Sequence, residues 1–260
     1  MLTPGNRPTS NAAILDSRIF NERAFFPRRD VSETPRGAED HAVEVSGASL
    51  HLRLHRAKQA SAAVLIFHGN GEVVRDYDSP ARMFNAIGVD LAVADFRGYG
   101  ASSGTPTLRN AIQDALPIFE KFKELCGDKK LFIMGRSLGS ACAVHLYSTL
   151  PRDSVAGFIV ESGFSSISAL IQRRGLTPLA ASMADSFFDP IEKYRKGSAP
   201  LLIVHGGVDS IISPVEAEVA FGAAASSNKK LVTLPDRGHN DISHSDEYWP
   251  TLDRFITGNL

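Results

Sequence analysis

A serine lies between an apolar run and a helix-like pattern in "KLFIMGRSLGSACAVHLYSTL", residues 130–150. The apolar run that ends at Gly135 predicts a buried β-strand, and the pattern that continues after Leu138 predicts a helix. Small residues fill the junction, because a tight turn between a strand and a helix needs neighbours that let the backbones approach closely. A serine at the apex of such a turn is a candidate nucleophile, so we single out Ser137.

The same five-letter pattern, G-x-S-x-G, occurs a second time as "GASSG" at residues 100–104. It follows "VADFRGYG", so turn-forming residues already separate Asp95, where the preceding strand ends, from Ser102. Thr105 and Pro106 then delay the next helix. Nothing in this context forces Ser102 into an exposed, strained turn, and we expect an ordinary loop serine.

Short apolar runs alternate with amphipathic segments from about residue 42 onward. The candidate strands are residues 42–46, 50–56, 63–68, 89–95, 130–135, 155–161, 200–206 and 230–235. The candidate helices are residues 79–87, 107–125, 138–150, 190–196, 214–225 and 244–257. This alternation predicts an α/β fold, with an eight-stranded, mostly parallel sheet and helices on both faces. Because residues 50–56 alternate in polarity, we expect that strand at an antiparallel edge.

Two segments fall outside this rhythm. Residues 1–41 show no clear periodicity, and we expect an irregular N-terminal leader packed on the main domain, residues 42–260. Residues 165–189 are too long for a plain crossover and carry a helical apolar pattern, which predicts a small cap inserted in that domain. Apolar residues of the cap are candidates to line a pocket for an apolar substrate group, although such residues more often belong to the core. They are Leu170, Ile171, Leu176, Leu179, Met183, Phe187 and Phe188.

Composition excludes several classes of partner. A net charge of −1 leaves no excess of Lys and Arg to neutralise phosphates, so nucleic acid and anionic membrane surfaces are poor candidates. Two cysteines, Cys126 and Cys142, are too few for a disulfide framework or a zinc site and fit a cytoplasmic location. No stretch approaches the ~18 apolar residues of a membrane span, and no signal peptide is evident. The sequence does not indicate an oligomeric state.

A serine nucleophile needs a histidine base, and four histidines follow Ser137. His239 lies in "LPDRGHND", directly after the last predicted strand, and is our first candidate, with His244 as the fallback. His145 falls within the helix after Ser137 and is expected to be structural. His205 ends a strand and is expected in a turn or beside the catalytic residues.

The base needs an orienting carboxylate, which in doubly wound hydrolases lies between the serine and the histidine in the chain. Asp209 lies three residues past a strand end in "LLIVHGGVDSIISP", at the sheet edge that the histidine also reaches. Glu161, at the end of the preceding strand, is the competing acid. We favour Asp209 on placement.

Acyl transfer also needs hydrogen-bond donors for a tetrahedral oxyanion. The backbone N–H of Leu138, directly after the candidate nucleophile, is one. The second is expected from "FHGNGE", the loop after the third strand, where the amide of Asn70 can face the site.

Several motifs in register resemble the α/β-hydrolase superfamily, specifically ABHD-type serine hydrolases with an HGN oxyanion loop. The motifs are "HGNGE", "ADFRGYGASSGTP", "GRSLGSA", "VESGFSSI", "LLIVHGGVDSIISP" and "RGHND", and the resemblance covers about residues 45–258. It implies Ser137 as nucleophile, Asp209 as acid and His239 as base, with Asn70 and Leu138 as oxyanion donors. It also implies that "GASSG" is the loop after the fourth strand, without chemistry of its own.

The expected reaction is acyl transfer to water from a carboxylic ester or thioester, on a small-molecule or acylated substrate, with no metal or organic cofactor. A peptidase or amidase with the same three residues is the first alternative. A non-catalytic receptor with a hydrolase fold is the second, because a fold does not dictate a function.

Overall fold

The computed structural model describes residues 10–179 and 187–258. Its centre is one sheet of eight strands in the order β1-β2-β4-β3-β5-β6-β7-β8. The strands are β1 Ala38–Val45, β2 Ala48–His55, β3 Ala62–Phe67, β4 Val89–Ala94, β5 Lys130–Arg136, β6 Gly157–Glu161, β7 Leu201–Gly206 and β8 Lys229–Leu234. All pairs from β4 through β3 to β8 are parallel. The predicted eight-stranded, mostly parallel sheet is confirmed.

The strand with alternating polarity, β2, is antiparallel to both of its neighbours. It does not form the edge of the sheet, which β1 occupies, so that part of the prediction is wrong. Of the polar positions of β2, Arg53 and His55 are buried, and Ser49 and His51 are partly buried. Arg53 is 1% exposed and donates to Asp40 at 2.7 Å and to Asp78 at 3.2 Å. Paired charges therefore replace solvent on that face.

Helices cover both faces of the sheet, as expected. They are α1 Asn11–Asp16, α2 Arg18–Ala24, α3 Ala81–Ala86, α4 Leu108–Cys126, α5 Ser140–Thr149, α6 Ile167–Arg173, α7 Pro190–Lys196, α8 Pro214–Ala223 and α9 Tyr248–Thr257. Residues of α3 and α9 join one hydrophobic cluster, whereas α1, α2 and α4 to α8 join the other. Within the described ranges, each helix is too short or too polar to cross a membrane.

From residue 10 onward, the leader contains two helices where we expected irregular chain. Ser10 and Ser17 cap α1 and α2 by accepting the backbone N–H groups of Ala13 and Phe20. The buried residues of this segment belong to the larger core cluster: Ile14, Leu15, Phe20, Ala24 and Phe25. Helices of six and seven residues are too short to produce a recognisable apolar period, which is why the sequence pattern missed them. In addition, β1 begins at Ala38, inside the predicted leader.

The expected cap contains α6. Its apolar residues divide into two groups: Leu170, Ile171 and Phe188 are buried in the core cluster, while Leu176, Leu179 and Phe187 are partly buried against it. Met183 lies outside the described residues. Half of the six proposed pocket residues in the described part of the cap therefore belong to the core, and the other half pack against it.

Candidate active site

Ser137 begins a 3₁₀ turn, Ser137–Gly139, between β5 and α5. Its φ of 51° lies in the left-handed region, which costs a non-glycine residue about 1–3 kcal/mol and is typical of strained functional turns. A Cβ on Gly135 would lie 2.7 Å from a backbone atom of α5, and one on Gly139 would lie 2.0 Å from the carbonyl oxygen of Phe67. Neither position has room for a side chain, so strand, turn and helix approach closely enough to present the Ser137 hydroxyl.

Side chains from two other strand ends meet this turn. His239 Nε2 lies 2.9 Å from Ser137 Oγ, and His239 Nδ1 lies 2.7 Å from Asp209 Oδ2. An ionised carboxylate only accepts hydrogen bonds, so Nδ1 carries the proton and Nε2 is left to accept the Ser137 hydroxyl. Asp209 follows β7 and His239 follows β8, the neighbouring strand. The three residues predicted from their loop positions are thus brought into one hydrogen-bonded chain.

The Asp209 carboxylate is held from both oxygens. Oδ1 accepts the backbone N–H groups of Ile211 and Ile212, both at 2.8 Å. The buried His205 ring places Nε2 3.3 Å from Oδ2. Burial opposes ionisation of Asp209, but the hydrogen bonds from His205, His239 and the Ile212 N–H outweigh it and hold its pKa well below the usual range. Asp209 is therefore a carboxylate at neutral pH.

The other candidate residues lie elsewhere. His145 packs its ring against Phe187, with centroids 5.6 Å apart, and burial lowers its pKa to about 4, so it is a neutral packing residue. His244 is exposed at the end of a 3₁₀ turn. Glu161 accepts Nη1 of Arg136 at 2.8 Å and the hydroxyl of Tyr248. Among the histidines in the described ranges, His239 alone contacts Ser137.

Ser102, in the second pentapeptide, is fully buried. Its hydroxyl donates to the carbonyl oxygen of Asp95 at 3.0 Å and accepts the backbone N–H of His51 at 2.8 Å. These bonds fasten the loop to β2, so this serine has a structural role, as the preceding loop residues predicted.

The loop after β3 borders the turn Ser137–Gly139, which we call the nucleophile turn after the role predicted for Ser137. A Cβ on Gly139 would lie 2.8 Å from the carbonyl oxygen of His68, directly before Gly69 and Asn70. Glu72 accepts the N–H of Gly69 at 2.7 Å and so fixes the start of this loop. The loop therefore lies close to Ser137, where an oxyanion donor is needed. That the N–H groups of Asn70 and Leu138 act as donors stays a prediction.

The side chain of Asn70 has a partner that the sequence did not indicate, namely the leader. Its Oδ1 accepts the N–H of Phe26 at 2.9 Å and the hydroxyl of Tyr99 at 2.6 Å. Its Nδ2 donates to the carbonyl oxygen of Ala24 at 2.8 Å. The residues directly after α2 thus hold the loop that borders the nucleophile turn.

Arg136, which precedes Ser137, is a functional candidate that sequence reasoning missed. Its Nε donates to Glu72 at 2.8 Å and its Nη1 to Glu161, also at 2.8 Å. Nη1 also donates to the carbonyl oxygen of His239 at 3.1 Å, and Nη2 to Asn240 Oδ1 at 3.2 Å. One side chain therefore links the loop after β3, the end of β6 and the loop of the histidine.

The charges of this network stabilise each other. Burial disfavours the cation of Arg136, but the carboxylates of Glu161 and Glu72 raise its pKa above the ordinary value. Burial likewise opposes ionisation of Glu72, yet the charge of Arg136 lowers its pKa. The sequence offered one weak signal for this role, a charged residue at the end of an apolar strand.

Comparison with known proteins identifies the family. The profile of the serine aminopeptidase S33 family, Hydrolase_4, matches residues 58–191, just over half of the chain. The relatives found by sequence include protein bem46 of Schizosaccharomyces pombe, 28% identical over 211 residues that cover 77% of this chain and 69% of bem46. Lysophosphatidylserine lipase ABHD12 of Mus musculus is 29% identical over 212 residues, which cover 72% of this chain and 52% of ABHD12.

A third relative, the uncharacterized membrane protein YNL320W of Saccharomyces cerevisiae, is 28% identical over 66% of this chain and 62% of its own length. The chain therefore spans between about half and about two thirds of the length of these relatives.

Solved structures share the fold at low identity. The Pyrococcus furiosus esterase Pf2001 superposes with a TM-score of 0.73 at 17% identity, over 89% of this chain and 98% of the esterase. A soluble variant of the Saccharomyces cerevisiae monoglyceride lipase superposes with a TM-score of 0.67 at 16% identity, over 88% and 97% of the two chains. With the family profile and the sequence relatives, this fold establishes that the chain belongs to the ABHD-type α/β-hydrolases, in the serine aminopeptidase S33 family.

Proposed function

We propose that the protein is a serine hydrolase that cleaves carboxylic esters or thioesters through an acyl-enzyme intermediate. The observation that carries the proposal is the hydrogen-bonded chain from Ser137 Oγ through the His239 ring to Asp209, at 2.9 and 2.7 Å. A nucleophile in contact with its base, and a base oriented by a carboxylate, are the geometric requirements for this chemistry.

In the first half-reaction, Ser137 Oγ forms a bond to the carbonyl carbon of the substrate while His239 Nε2 takes the hydroxyl proton. The tetrahedral intermediate then breaks the bond to the leaving oxygen or sulfur, which receives that proton from His239. In the second half-reaction, His239 deprotonates a water that attacks the acyl group, and Ser137 leaves with the proton returned to it. Asp209 stabilises the imidazolium in both halves.

The negative charge on the carbonyl oxygen needs preorganised donors. We assign them to the backbone N–H groups of Leu138 and Asn70. Support comes from the contact between Gly139 and the carbonyl oxygens of Phe67 and His68, which holds the two donor segments side by side.

Ester cleavage is our first choice among the possible acyl transfers. ABHD12 is named a lysophosphatidylserine lipase, and two solved structures of the same fold are an esterase and a monoglyceride lipase. The family description names an aminopeptidase, which keeps amide cleavage as the alternative. A non-catalytic receptor would not require the strained Ser137 backbone or its contact with His239.

A fluorophosphonate probe tests the proposal directly. We expect the wild type and Ser102→Ala to be labelled, and Ser137→Ala to remain unlabelled. An ester, a thioester and an amide with the same hexanoyl group then rank the substrates by kcat/KM. Wild-type protein that is not labelled would favour the receptor, labelling of Ser137→Ala would refute the assignment, and a faster amide would select the peptidase.

We also propose a cytoplasmic location. It is supported by Cys126 and Cys142, which are both buried free thiols, as is usual in a reducing compartment. Because YNL320W is named a membrane protein, fractionation of cells that express the tagged chain is the test. Recovery of the protein in the membrane pellet at high salt would contradict the proposal.

A further inference from the structure

Arg174 is held between the cap and the leader. It follows the last residue of α6, and its backbone carbonyl accepts a hydrogen bond from Nη1 of Arg23 at 3.3 Å. The same nitrogen donates to the carbonyl of Gly175 at 3.1 Å. The guanidinium carbon of Arg174 lies 5.9 Å from the centre of the Phe26 ring, which is 57% exposed. Arg23 thus holds the backbone at Arg174, and the Phe26 ring lies next to its side chain.

Its charge has no counterpart in the part of the chain that the structure describes. Nε of Arg174 is buried and lacks a hydrogen-bond partner there, and so does Nη2 of the neighbouring Arg173, whose other nitrogen pairs with Glu216. Burial and the charge of Arg173 lower the pKa of Arg174, whereas carboxylate partners raise the pKa of Arg97. A half-buried cation with an unused donor is unfavourable unless an anion completes it.

The position of Arg174 connects it to the candidate active site. The N–H of Phe26, whose ring lies beneath the guanidinium, donates to Oδ1 of Asn70 at 2.9 Å. Asn70 belongs to the loop that packs against the nucleophile turn at Gly139. The guanidinium therefore lies beside the leader segment that holds the loop after β3.

We propose that Arg174 binds an anionic group of the substrate, a carboxylate or a phosphate, and so selects negatively charged esters. The inference rests on the proposed function for its catalytic meaning. The planar guanidinium suits both oxyanions. Arg23, which donates to the backbone carbonyls of Arg174 and Gly175, adds positive charge nearby, and the exposed ring of Phe26 offers an apolar contact for the chain that carries the anion.

The test uses small anions as competitive inhibitors of 4-nitrophenyl hexanoate hydrolysis. The probes are hexanoate, hexyl phosphate and the neutral hexanamide, which matches hexanoate in size. They are measured on the wild type, Arg174→Met, Arg174→Lys and Arg195→Gln. Arg195 is an exposed arginine paired with Glu192 on α7 and serves as the control. If the ester is not hydrolysed, the proposed function fails, and calorimetry measures the same binding constants.

We expect at least one anion to bind the wild type more tightly than hexanamide does. Met keeps an unbranched apolar stem and removes the charged guanidinium. Arg174→Met therefore weakens binding of that anion about ten- to hundredfold, the size of a hydrogen bond to a charged group. Arg174→Lys restores part of the affinity, and Arg195→Gln has no effect. Whichever of hexanoate and hexyl phosphate binds more tightly shows whether Arg174 prefers a carboxylate or a phosphate. The proposal is overturned if neither anion binds the wild type more tightly than hexanamide, or if Arg174→Met leaves the affinity for the anion unchanged. It is also overturned if Arg174→Met lowers the affinities for the anion and for hexanamide by the same factor.

Discussion

Residues 135–139 and residues 100–104 share a five-letter pattern but place their serines in opposite environments. Ser137 lies half-buried at a left-handed φ of 51°, with its hydroxyl 2.9 Å from His239 Nε2. Ser102 is fully buried, and its hydroxyl bonds to the backbone of Asp95 and His51. The pattern provides small residues for a turn in both cases, whereas the surrounding strands decide whether the serine meets a base.

An arginine and the final glycine differ in the same way, with Arg136 inside the first region and Arg97 three residues before the second. Arg136 donates to the loops on both sides of Ser137, while Arg97 forms a paired contact with Asp114 of α4, at 2.7 and 2.8 Å. Gly139 is required for close backbone contact, and Gly104 has a φ of 81°. We therefore expect matched substitutions to lower the catalytic rate in the first region and only the stability in the second.

The largest effect is expected when the charge behind His239 is removed. Asp209→Asn replaces an acceptor for Nδ1–H by an amide that favours the wrong histidine tautomer, so we expect kcat on a hexanoyl ester to fall about 10⁴-fold. Glu161→Gln is the control, because Glu161 pairs with Arg136 and Tyr248 and does not orient the ring. A larger loss of kcat in Glu161→Gln than in Asp209→Asn would show that Glu161, and not Asp209, orients His239.

The two final glycines give the next largest difference. A Cβ in Gly139→Ala meets the carbonyl oxygen of Phe67 at 2.0 Å, which only a backbone shift can relieve. Since a misplacement of ~1 Å costs about 100-fold in rate, we expect that loss in kcat/KM per folded molecule. Gly104→Ala introduces backbone strain of about 1–3 kcal/mol, visible in urea unfolding. Equal rates in the two folded variants would show that the turn tolerates movement.

The two arginines test whether positioning of the histidine loop limits the rate. Arg136→Lys keeps the charge but loses the fork that reaches Glu72, Glu161 and the His239 carbonyl together. We expect kcat to fall about tenfold with little change in KM, because the proposed role is in orienting His239 and not in binding substrate. Arg97→Lys should lower the midpoint of urea unfolding and leave kcat unchanged. A KM effect alone in Arg136→Lys would argue against positioning.

The smallest effect concerns the second serine. Ser102→Ala leaves the buried N–H of His51 and the carbonyl of Asp95 without their partner, which costs about 1–3 kcal/mol in the free energy of unfolding. Ser103→Ala is the matched control. The Ser103 hydroxyl accepts the N–H of Ser49 at 2.8 Å, but this bond is exposed and water replaces it, so the loss should stay within ~0.5 kcal/mol. Neither variant should change kcat. Indistinguishable unfolding curves would mean that the Ser102 bonds contribute nothing.

The sequence predicts most of the sheet and the positions of the three central residues, because both depend on local patterns. Each buried strand is a continuous apolar run, and parallel strands bring their carboxyl ends to one edge. Ser137 and Asp209 each follow such a strand, and His239 follows β8, a partly exposed strand at the end of the sheet. Their convergence follows from the strand order. The physical signal is strong wherever an element is long enough to show its period.

The contacts around Arg136 could not be predicted in this way. Its partners Glu161, Glu72 and Asn240 lie 25, 64 and 104 residues away, and no local pattern joins them. The leader illustrates a second limit. Its helices are short, and their only local signals are the capping serines Ser10 and Ser17, residues that are equally common in loops.

The hydrogen bonds between the leader and Asn70 have a consequence for shortened forms of the chain. A chain trimmed to begin at residue 28 would keep every strand, the turn at Ser137 and the loops of Asp209 and His239. It would nevertheless lose the N–H of Phe26 and the carbonyl of Ala24, which hold the Asn70 side chain. It would also uncover core residues that Leu15 and Phe20 now shield. We therefore expect a chain without α1 and α2 to hold the loop beside Ser137 less firmly, even though the sheet and the three residues of the candidate site remain.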